Sequence, residues 1–202
     1  MELLFETAKL KFTRIINQLA ENSVEKCYLC GKCTAGCPMA YEMDIQIHQI
    51  MRFLKLGEEK VLLKSRAIWQ CVGCQTCSSR CPKEVDPASF VDALRVYATL
   101  TKQKASERAV EQFNYIFLEI IRHLGRIYEV GLVGLLNIFY MQPFRDIALA
   151  PKMVIGGKLN FIPHKIKGSK EIKRIFLACE ELAQKDLKAK KELIEKEFQT
   201  TF

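Results

Sequence analysis

Apolar residues recur at helical spacing along most of this sequence. Residues 2–21 predict an amphipathic helix with apolar positions Leu4, Ala8, Phe12, Ile15, Ile16 and Leu19. The same spacing predicts helices over residues 106–123 and 128–141, and the second of these is strongly apolar. A long last helix is predicted from Ser169, as its N-cap, to about Phe198. The apolar side of that helix holds Ile172, Ile175, Phe176, Cys179, Leu182 and Leu187.

In the middle of the chain, capping residues, glycine and proline predict where helices begin and end. Asp44 is predicted to cap a helix that stops at Gly57, and a second short helix is predicted over residues 58–70. The pair Asp86-Pro87 places a cap before a proline at the first helical position, and it opens a helix that runs to about residue 101. Because no β-hairpin signal interrupts these segments, the predicted fold class is all-α.

Eight of the nine cysteines form two copies of one motif, C-x2-C-x2-C-x3-C-P. The first copy is Cys27, Cys30, Cys33 and Cys37, and the second is Cys71, Cys74, Cys77 and Cys81. This motif is typical of [4Fe–4S] loops, and in two-cluster proteins its fourth cysteine binds the other cluster. We therefore expect two [4Fe–4S] clusters. One would use Cys27, Cys30, Cys33 and Cys81, and the other Cys71, Cys74, Cys77 and Cys37.

Two other uses of these cysteines fit the pattern less well. Structural zinc is usually held by two separated pairs of ligands, whereas each motif here packs four thiols into eleven residues. Disulfides are disfavoured because the cysteines repeat too densely and the N-terminus, with its acid and lysine residues, does not predict an export signal. These features favour a reducing cytoplasm.

The spacing of the two motifs defines the domain organisation. They begin 44 residues apart, with helical segments between them, which distinguishes the chain from small βαβ-type ferredoxins. We predict an N-terminal amphipathic helix at 1–26, an α-helical domain with two [4Fe–4S] clusters at 27–101, and a helical extension for subunit docking at 102–202.

Charge and hydropathy narrow the possible partners. The 202 residues carry a formal net charge of +8. Two oxidised clusters with their thiolates would add roughly −4, which leaves the loaded protein near +4 and gives little support for nucleic-acid binding. No run of eighteen apolar residues occurs, so no transmembrane segment is predicted.

The remaining chemistry-bearing residues do not predict a catalytic site. No residue pair suggests acid–base chemistry, and no nucleophile motif or nucleotide-binding glycine loop is present. His48, His123 and His164 lie in separate segments and are expected to be ordinary surface or core residues. Cys179 is expected to be a small buried apolar residue. Trp69, two residues before Cys71, is interpreted as a core residue, a shield for the cluster, or both.

The second half leaves two alternatives open. Prolines and glycines in residues 142–168 predict an irregular connection. Basic residues there and beyond are interpreted as solvated surface or as a docking site for an acidic partner; they are Lys152, Lys158, His164, Lys165, Lys167, Lys170, Lys173 and Arg174. The apolar segment 128–141 is either core or an exposed docking face.

The segment from Cys27 to about Thr101 resembles the α-helical two-cluster ferredoxin domain, chiefly through WQCVGCQTCSSRCPKEVDPASFVDALRVYA. That domain recurs in iron–sulfur subunits of succinate dehydrogenase, fumarate reductase, glycolate oxidase, glycerol-3-phosphate dehydrogenase and heterodisulfide reductase. Among these, the chain resembles the C subunit of heterodisulfide reductase or its homologue in sulfur oxidisers. Only 26 residues precede Cys27, where a [2Fe–2S] domain would stand in the dehydrogenases, and one cysteine follows Cys81, where glycolate-type proteins continue into CCG domains.

The resemblance implies a non-catalytic electron-transfer subunit. Its expected neighbours are a CCG-type catalytic subunit that acts on disulfides or related sulfur compounds and a subunit that carries flavin and iron–sulfur clusters. The alternatives are a free-standing soluble two-cluster carrier, an iron–sulfur subunit of a glycolate-, glycerol-3-phosphate- or succinate-type dehydrogenase, and a cluster-based sensor or assembly protein.

Overall fold

The computed structural model of the chain describes residues 2–103, 108–140, 163 and 166–199, and within these residues it contains helices and no β-strand. The helices are α1 Glu2–Leu19, α2 Lys32–Ala35, α3 Ile47–Lys55, α4 Glu59–Lys64, α5 Ala67–Gln70, α6 Thr76–Ser79, α7 Pro87–Leu100, α8 Arg108–Leu124, α9 Glu129–Phe139 and α10 Ser169–Gln199, with a 3₁₀ turn at Val24–Lys26. The predicted all-α fold class is confirmed.

The chain divides into two compact units. The first is Met1–Glu107 together with Asp186–Phe202, and the second is Arg108–Lys185. Among the described residues, no helix has the length and apolar character needed to span a lipid bilayer. The predicted irregular connection lies mostly outside the described residues, as do His164 and the lysines at 152, 158 and 165.

The first unit is built around one apolar core. Helix α1 packs on α7, and α7 also contacts the short helices α4, α5 and α6. The rings of Phe12 in α1 and Tyr97 in α7 meet edge to face, with centroids 5.4 Å apart. Ile194, near the end of α10, is buried in the same core. Its innermost side chains are Ile15, Ile16, Val24, Ile47, Ile50, Met51, Leu54, Leu62, Ile68, Phe90 and Leu94.

Helix α7 begins as the sequence predicts. The Asp86 carboxylate accepts hydrogen bonds from the backbone N–H groups of Ala88 and Ser89, both at 3.1 Å. Pro87 occupies the first helical position, where its missing N–H costs nothing because that group would have no helical partner. The helix ends at Leu100, as expected.

The prediction that Asp44 caps α3 is wrong. The cap is Gln46, whose side chain and that of Gln49 exchange hydrogen bonds with the backbone in a capping box. Asp44 instead accepts from the Ser65 hydroxyl at 2.7 Å and from the N–H groups of Arg66 and Ala67, both at 2.9 Å. Its carboxylate is therefore the acceptor at the start of α5.

The same interaction explains why the helix predicted over residues 58–70 is two helices. Ser65 is extended, with φ −68° and ψ 143°, and it separates α4 from α5. The carboxylate of Asp44 takes the N–H groups that follow the break. It thereby compensates for the interrupted helical hydrogen bonds.

Gly57 ends α3 as predicted, and its backbone explains the choice of residue. Its φ is +65°, a left-handed conformation that glycine adopts without strain. A Cβ at this position would lie 2.5 Å from the carbonyl oxygen of Lys9 in α1. Gly57 therefore lets the end of α3 approach α1 closely.

The second unit contains α8, α9 and the part of α10 that precedes Asp186. Helix α8 packs on α9, and Arg122 pairs with Glu180 at 2.8 Å. The carbonyl of Gly168 accepts from the N–H of Ile172, so Gly168 and not Ser169 is the cap of α10.

The expectation that Cys179 is buried is wrong. Its side chain is exposed, as are those of Ile175 and Leu182 on the same predicted apolar side of α10. The helix itself is present over the predicted residues. The apolar pattern therefore predicted the helix correctly but not the burial of this side.

Candidate metal centre

The two cysteine motifs fold into loops with the same backbone path. In each loop the third and fifth residues have positive φ: Leu29 and Gly31 in the first, Gly73 and Gln75 in the second, all between 61° and 77°. Each loop then enters a four-residue helix, α2 or α6, at the same offset from its first cysteine. The repeated motif therefore gives a repeated structure, with glycine at a different one of the two left-handed positions in each copy.

The first loop forms one wall of a cavity that we call the Cys27 cavity. It is lined by Cys27, Cys30 and Cys33 from this loop and by Cys81 from the second. Lys32, His48, Met51 and Pro82 are also at its wall. The cavity volume is about 330 Å³, part of it open to solvent.

The second loop forms the corresponding Cys71 cavity. Its lining includes Cys71, Cys74 and Cys77 from the second loop and Cys37 from the first. Its volume is about 320 Å³, nearly equal to that of the Cys27 cavity. The structure thus brings together, one set in each cavity, the two sets of four cysteines that the sequence predicts as ligands of two clusters.

Packing between the loops explains this exchange of the fourth cysteines. Helices α2 and α6 contact each other, and each also contacts the helix that follows its own loop. Arg80, beside Cys81, lies so close to Gly36, beside Cys37, that a Cβ on the glycine would be 2.7 Å from Arg80 Cδ. The ends of the two loops therefore pass each other, and each delivers its last cysteine to the other cavity.

A hydroxyl at the same position of each motif ties the loop to the next helix. Thr34, seven residues after Cys27, accepts from the N–H of His48 at 3.1 Å and lies 2.8 Å from His48 Nδ1. Ser78, seven residues after Cys71, accepts from the N–H of Ala88 at 3.4 Å and donates to Asp86. His48, which was expected to be an ordinary surface or core residue, is thus a wall residue of the Cys27 cavity.

Burial and hydrogen bonds act in opposite directions on the pKa values of five of the thiols. Burial raises the pKa of Cys33, Cys71 and Cys77. At the exposed cysteines, the backbone N–H of Lys32 lowers the pKa of Cys30, and the Thr76 hydroxyl lowers the pKa of Cys74. The thiolate is the form that binds metal. The loops therefore supply hydrogen bonds to anionic sulfur at their exposed cysteines.

The donor set suits a cluster of several irons. Each cavity presents four cysteines, which is the ligand set of a [4Fe–4S] cluster. Among the described residues, no three His, Cys, Asp or Glu side chains are grouped so that they could hold a single metal ion. In a [4Fe–4S] cluster each iron takes its own cysteine, so the four ligands stand apart around the cluster.

Trp69 lies beside the Cys71 loop. It packs partly buried against the core, as one of the two interpretations expected. Its indole Nε1–H is buried and has no hydrogen-bond partner among the described residues. Its role as a shield for the cluster stays a prediction.

Comparison with known proteins identifies the domain. Residues 23–85 match the 4Fe-4S dicluster domain. The chain is 38% identical over 122 residues to the C subunit of the ferredoxin:CoB-CoM heterodisulfide reductase of Methanosarcina acetivorans, an alignment that covers 60% of this chain and 45% of that protein. It is 39% identical over 82 residues to the iron–sulfur C subunit of the CoB–CoM heterodisulfide reductase of Methanopyrus kandleri, covering 41% of each.

A more distant relative covers more of the chain. The iron–sulfur subunit of the 8-methylmenaquinol:fumarate reductase of Wolinella succinogenes is 25% identical over 185 residues, 84% of this chain and 55% of that protein. The chain spans less than half of the two heterodisulfide reductase relatives. The resemblance to the C subunit of heterodisulfide reductase is confirmed, and the chain carries a 4Fe-4S dicluster domain with cysteines for two [4Fe–4S] clusters.

Proposed function

We propose that this chain is an electron-transfer subunit of a heterodisulfide reductase-like complex and relays electrons through two [4Fe–4S] clusters. The observation that carries the proposal is the pair of adjacent cavities, each lined by four cysteines contributed by both motifs. Cys27, Cys30, Cys33 and Cys81 would hold one cluster, and Cys71, Cys74, Cys77 and Cys37 the other. When bound, such clusters supply one-electron redox chemistry.

The protein's own residues hold, insulate and connect the two sites. Helices α2 and α6 pack together between the loops, which keeps the cavities adjacent. Buried side chains such as Met43 and Val85 stand at the cavity walls and limit the access of water. Two neighbouring sites with apolar walls suit transfer between partners better than chemistry on a substrate.

A partner surface is supported by the apolar residues of the second unit. Helices α8 and α9 border an open groove of about 880 Å³, lined mainly by apolar side chains including Tyr115, Leu135, Ile138 and Phe139. Val133 and Leu118 are also exposed. Exposed apolar groups in this number are typical of a protein–protein contact. We propose that this face docks the CCG-type catalytic subunit or the flavin and iron–sulfur subunit.

The location we propose is the cytoplasm. Eight closely spaced cysteines free to ligate iron require a reducing compartment.

The proposal is tested by anaerobic purification of the chain from its own cells, followed by size-exclusion chromatography. The chain should elute with partner subunits that carry flavin and CCG motifs. The assembly should reduce or form a disulfide substrate, and Cys74→Ser should abolish that activity without releasing the subunits. Elution of the loaded chain as a monomer, or full activity of the isolated chain, would contradict the proposal.

A further inference from the structure

A basic residue stands at the same place behind each cysteine loop. Lys55 is the ninth residue of α3, the helix that follows the first loop. Arg95 is the ninth residue of α7, the helix that follows the second loop. Lys55 Nζ donates to the carbonyl of Glu25 at 3.1 Å, and Arg95 Nη2 lies 3.5 Å from the carbonyl of Trp69. Both carbonyls belong to the residue two positions before the first cysteine of the loop.

The two cations differ in how closely they hold their loops. Lys55 donates to the backbone at Glu25. Arg95 also donates through Nε to the carbonyl of Ile68 at 2.5 Å and through Nη2 to the carbonyl of Cys71. The planar guanidinium can bond several carbonyls at once, whereas an ammonium is a single point of charge. Arg95 therefore holds the residue that supplies the first sulfur of the Cys71 cavity.

The charge of Arg95 is only partly balanced. Asp92 pairs with it at 3.2 Å, but the Asp92 side chain is 58% exposed against 26% for Arg95. Water therefore screens the carboxylate more than the guanidinium. At the Cys27 cavity, Lys55 lies behind the loop and Lys32 is at the wall.

We propose that Arg95 and Lys55 are positioning residues: Arg95 fixes the first cysteine of its loop, Lys55 fixes the residue two positions before the first cysteine of its own loop, and each raises the reduction potential of the cluster held there. Reduction adds an electron, so a nearby fixed positive charge favours the reduced cluster. Net charge and hydrogen bonding around the cluster are what set its potential. Arg95 acts on the Cys71 cavity and has the larger effect, because it bonds the cysteine residue itself. This inference rests on the proposed placement of the clusters.

The test is an EPR-monitored redox titration of the full chain, purified anaerobically, with Arg95→Gln, Arg95→Lys and Lys55→Gln. Signals are first assigned to the two cavities with Cys37→Ser and Cys81→Ser. Arg95→Gln should lower the midpoint potential of the Cys71-cavity cluster and leave the other unchanged. In Arg95→Lys, the midpoint potential of the same cluster should lie between the values for Arg95→Gln and for the native protein. Lys55→Gln should produce a smaller fall at the Cys27-cavity cluster alone.

Unchanged midpoint potentials in Arg95→Gln, or equal shifts in the midpoint potentials of both clusters, would overturn the inference. If Arg95→Gln fails to retain iron, the Arg95→Lys variant is the test. A native midpoint potential of the Cys71-cavity cluster in Arg95→Lys would also overturn the inference. If the unsubstituted chain shows no [4Fe–4S] signal, the proposed function fails before the role of Arg95 is reached. The two failures are thus distinguishable.

Discussion

Cys37, the last cysteine of the first motif, lines the same cavity as Cys71, the first cysteine of the second. Cys81 lies in the Cys27 cavity in the corresponding way. Neither cavity can present four thiols unless both loops are in place. Folding of the two loops and binding of the two clusters should therefore be coupled.

Cross-ligation predicts which cluster each substitution affects. Cys37→Ser should perturb the cluster in the Cys71 cavity, because that cavity receives the Cys37 side chain. Its matched control, Cys81→Ser, should perturb the cluster in the Cys27 cavity. Mössbauer and EPR spectra of each variant, compared with those of Cys74→Ser and Cys30→Ser, check the pairing. Matching spectra for Cys37→Ser and Cys30→Ser would mean that each motif binds its own cluster.

Asp44 should stabilise the first unit in a pH-dependent way. Burial opposes its ionisation, but hydrogen bonds from Ser65 and from the N–H groups of Arg66, Ala67 and Ile45 outweigh it and lower its pKa. Asp44→Ala should cost about 1–2 kcal/mol in the free energy of unfolding near pH 7. The lowered pKa means that this contribution is complete above about pH 5 and is lost as the pH falls through the folded value.

Urea unfolding from pH 7 down to about pH 3 measures this effect. Glu42→Ala is the control, since Glu42 is an exposed carboxylate two residues away. A difference between Asp44→Ala and the native chain that stays constant over that whole range would show that the carboxylate charge is not involved.

Gly57 should tolerate a side chain less well than Gly73. Both have positive φ, so alanine at either position should cost about 1–2 kcal/mol in conformational strain. At Gly57 the new Cβ would also meet the Lys9 backbone, whereas at Gly73 no protein atom of the described residues lies within 4 Å of it. Gly57→Ala should therefore lose clearly more unfolding free energy than Gly73→Ala in urea titrations. Equal losses of unfolding free energy in the two variants would mean that α1 can shift away from the new Cβ at residue 57 without an energetic cost.

The exposed face of α9 should be needed for assembly and not for iron binding. Val133 is 43% exposed and Leu132 is 8% exposed. Val133→Glu should weaken co-purification with the partner subunits and leave the iron content unchanged, because a buried charge disfavours an apolar interface. Leu132→Glu should instead destabilise the helix pair. Loss of clusters or unfolding in Val133→Glu would show that this face belongs to the core.

The sequence predicted the structure correctly where the residues that carry the signal are close together in the chain. Two unbroken motifs predicted which cysteines line each cavity, and the binding of clusters by these cysteines stays a prediction. Asp86 before Pro87 predicted the start of α7. Asp44 misled because its partners, Ser65 to Ala67, lie more than twenty residues away, and local helix signals do not contain that contact. The amphipathic pattern of α10 could not show that Cys179 would be exposed, because burial depends on which neighbour packs there.

The basic residues behind the loops were equally hidden in the sequence. Lys55 and Arg95 stand among other lysines and arginines, and only their equal positions in α3 and α7 distinguish them. Thr34 and Ser78 carried a stronger signal, because each follows the first cysteine of its motif by seven residues. Comparing the two motifs position by position would have found this pair.

The proposed function depends on two [4Fe–4S] clusters held by the eight motif cysteines. Iron and acid-labile sulfide, determined together with the Mössbauer spectrum of the anaerobically purified chain, measure those clusters. We expect about eight iron and eight sulfide per chain, all in [4Fe–4S] form. Stoichiometric zinc without iron, or about four iron in a single cluster, would contradict it.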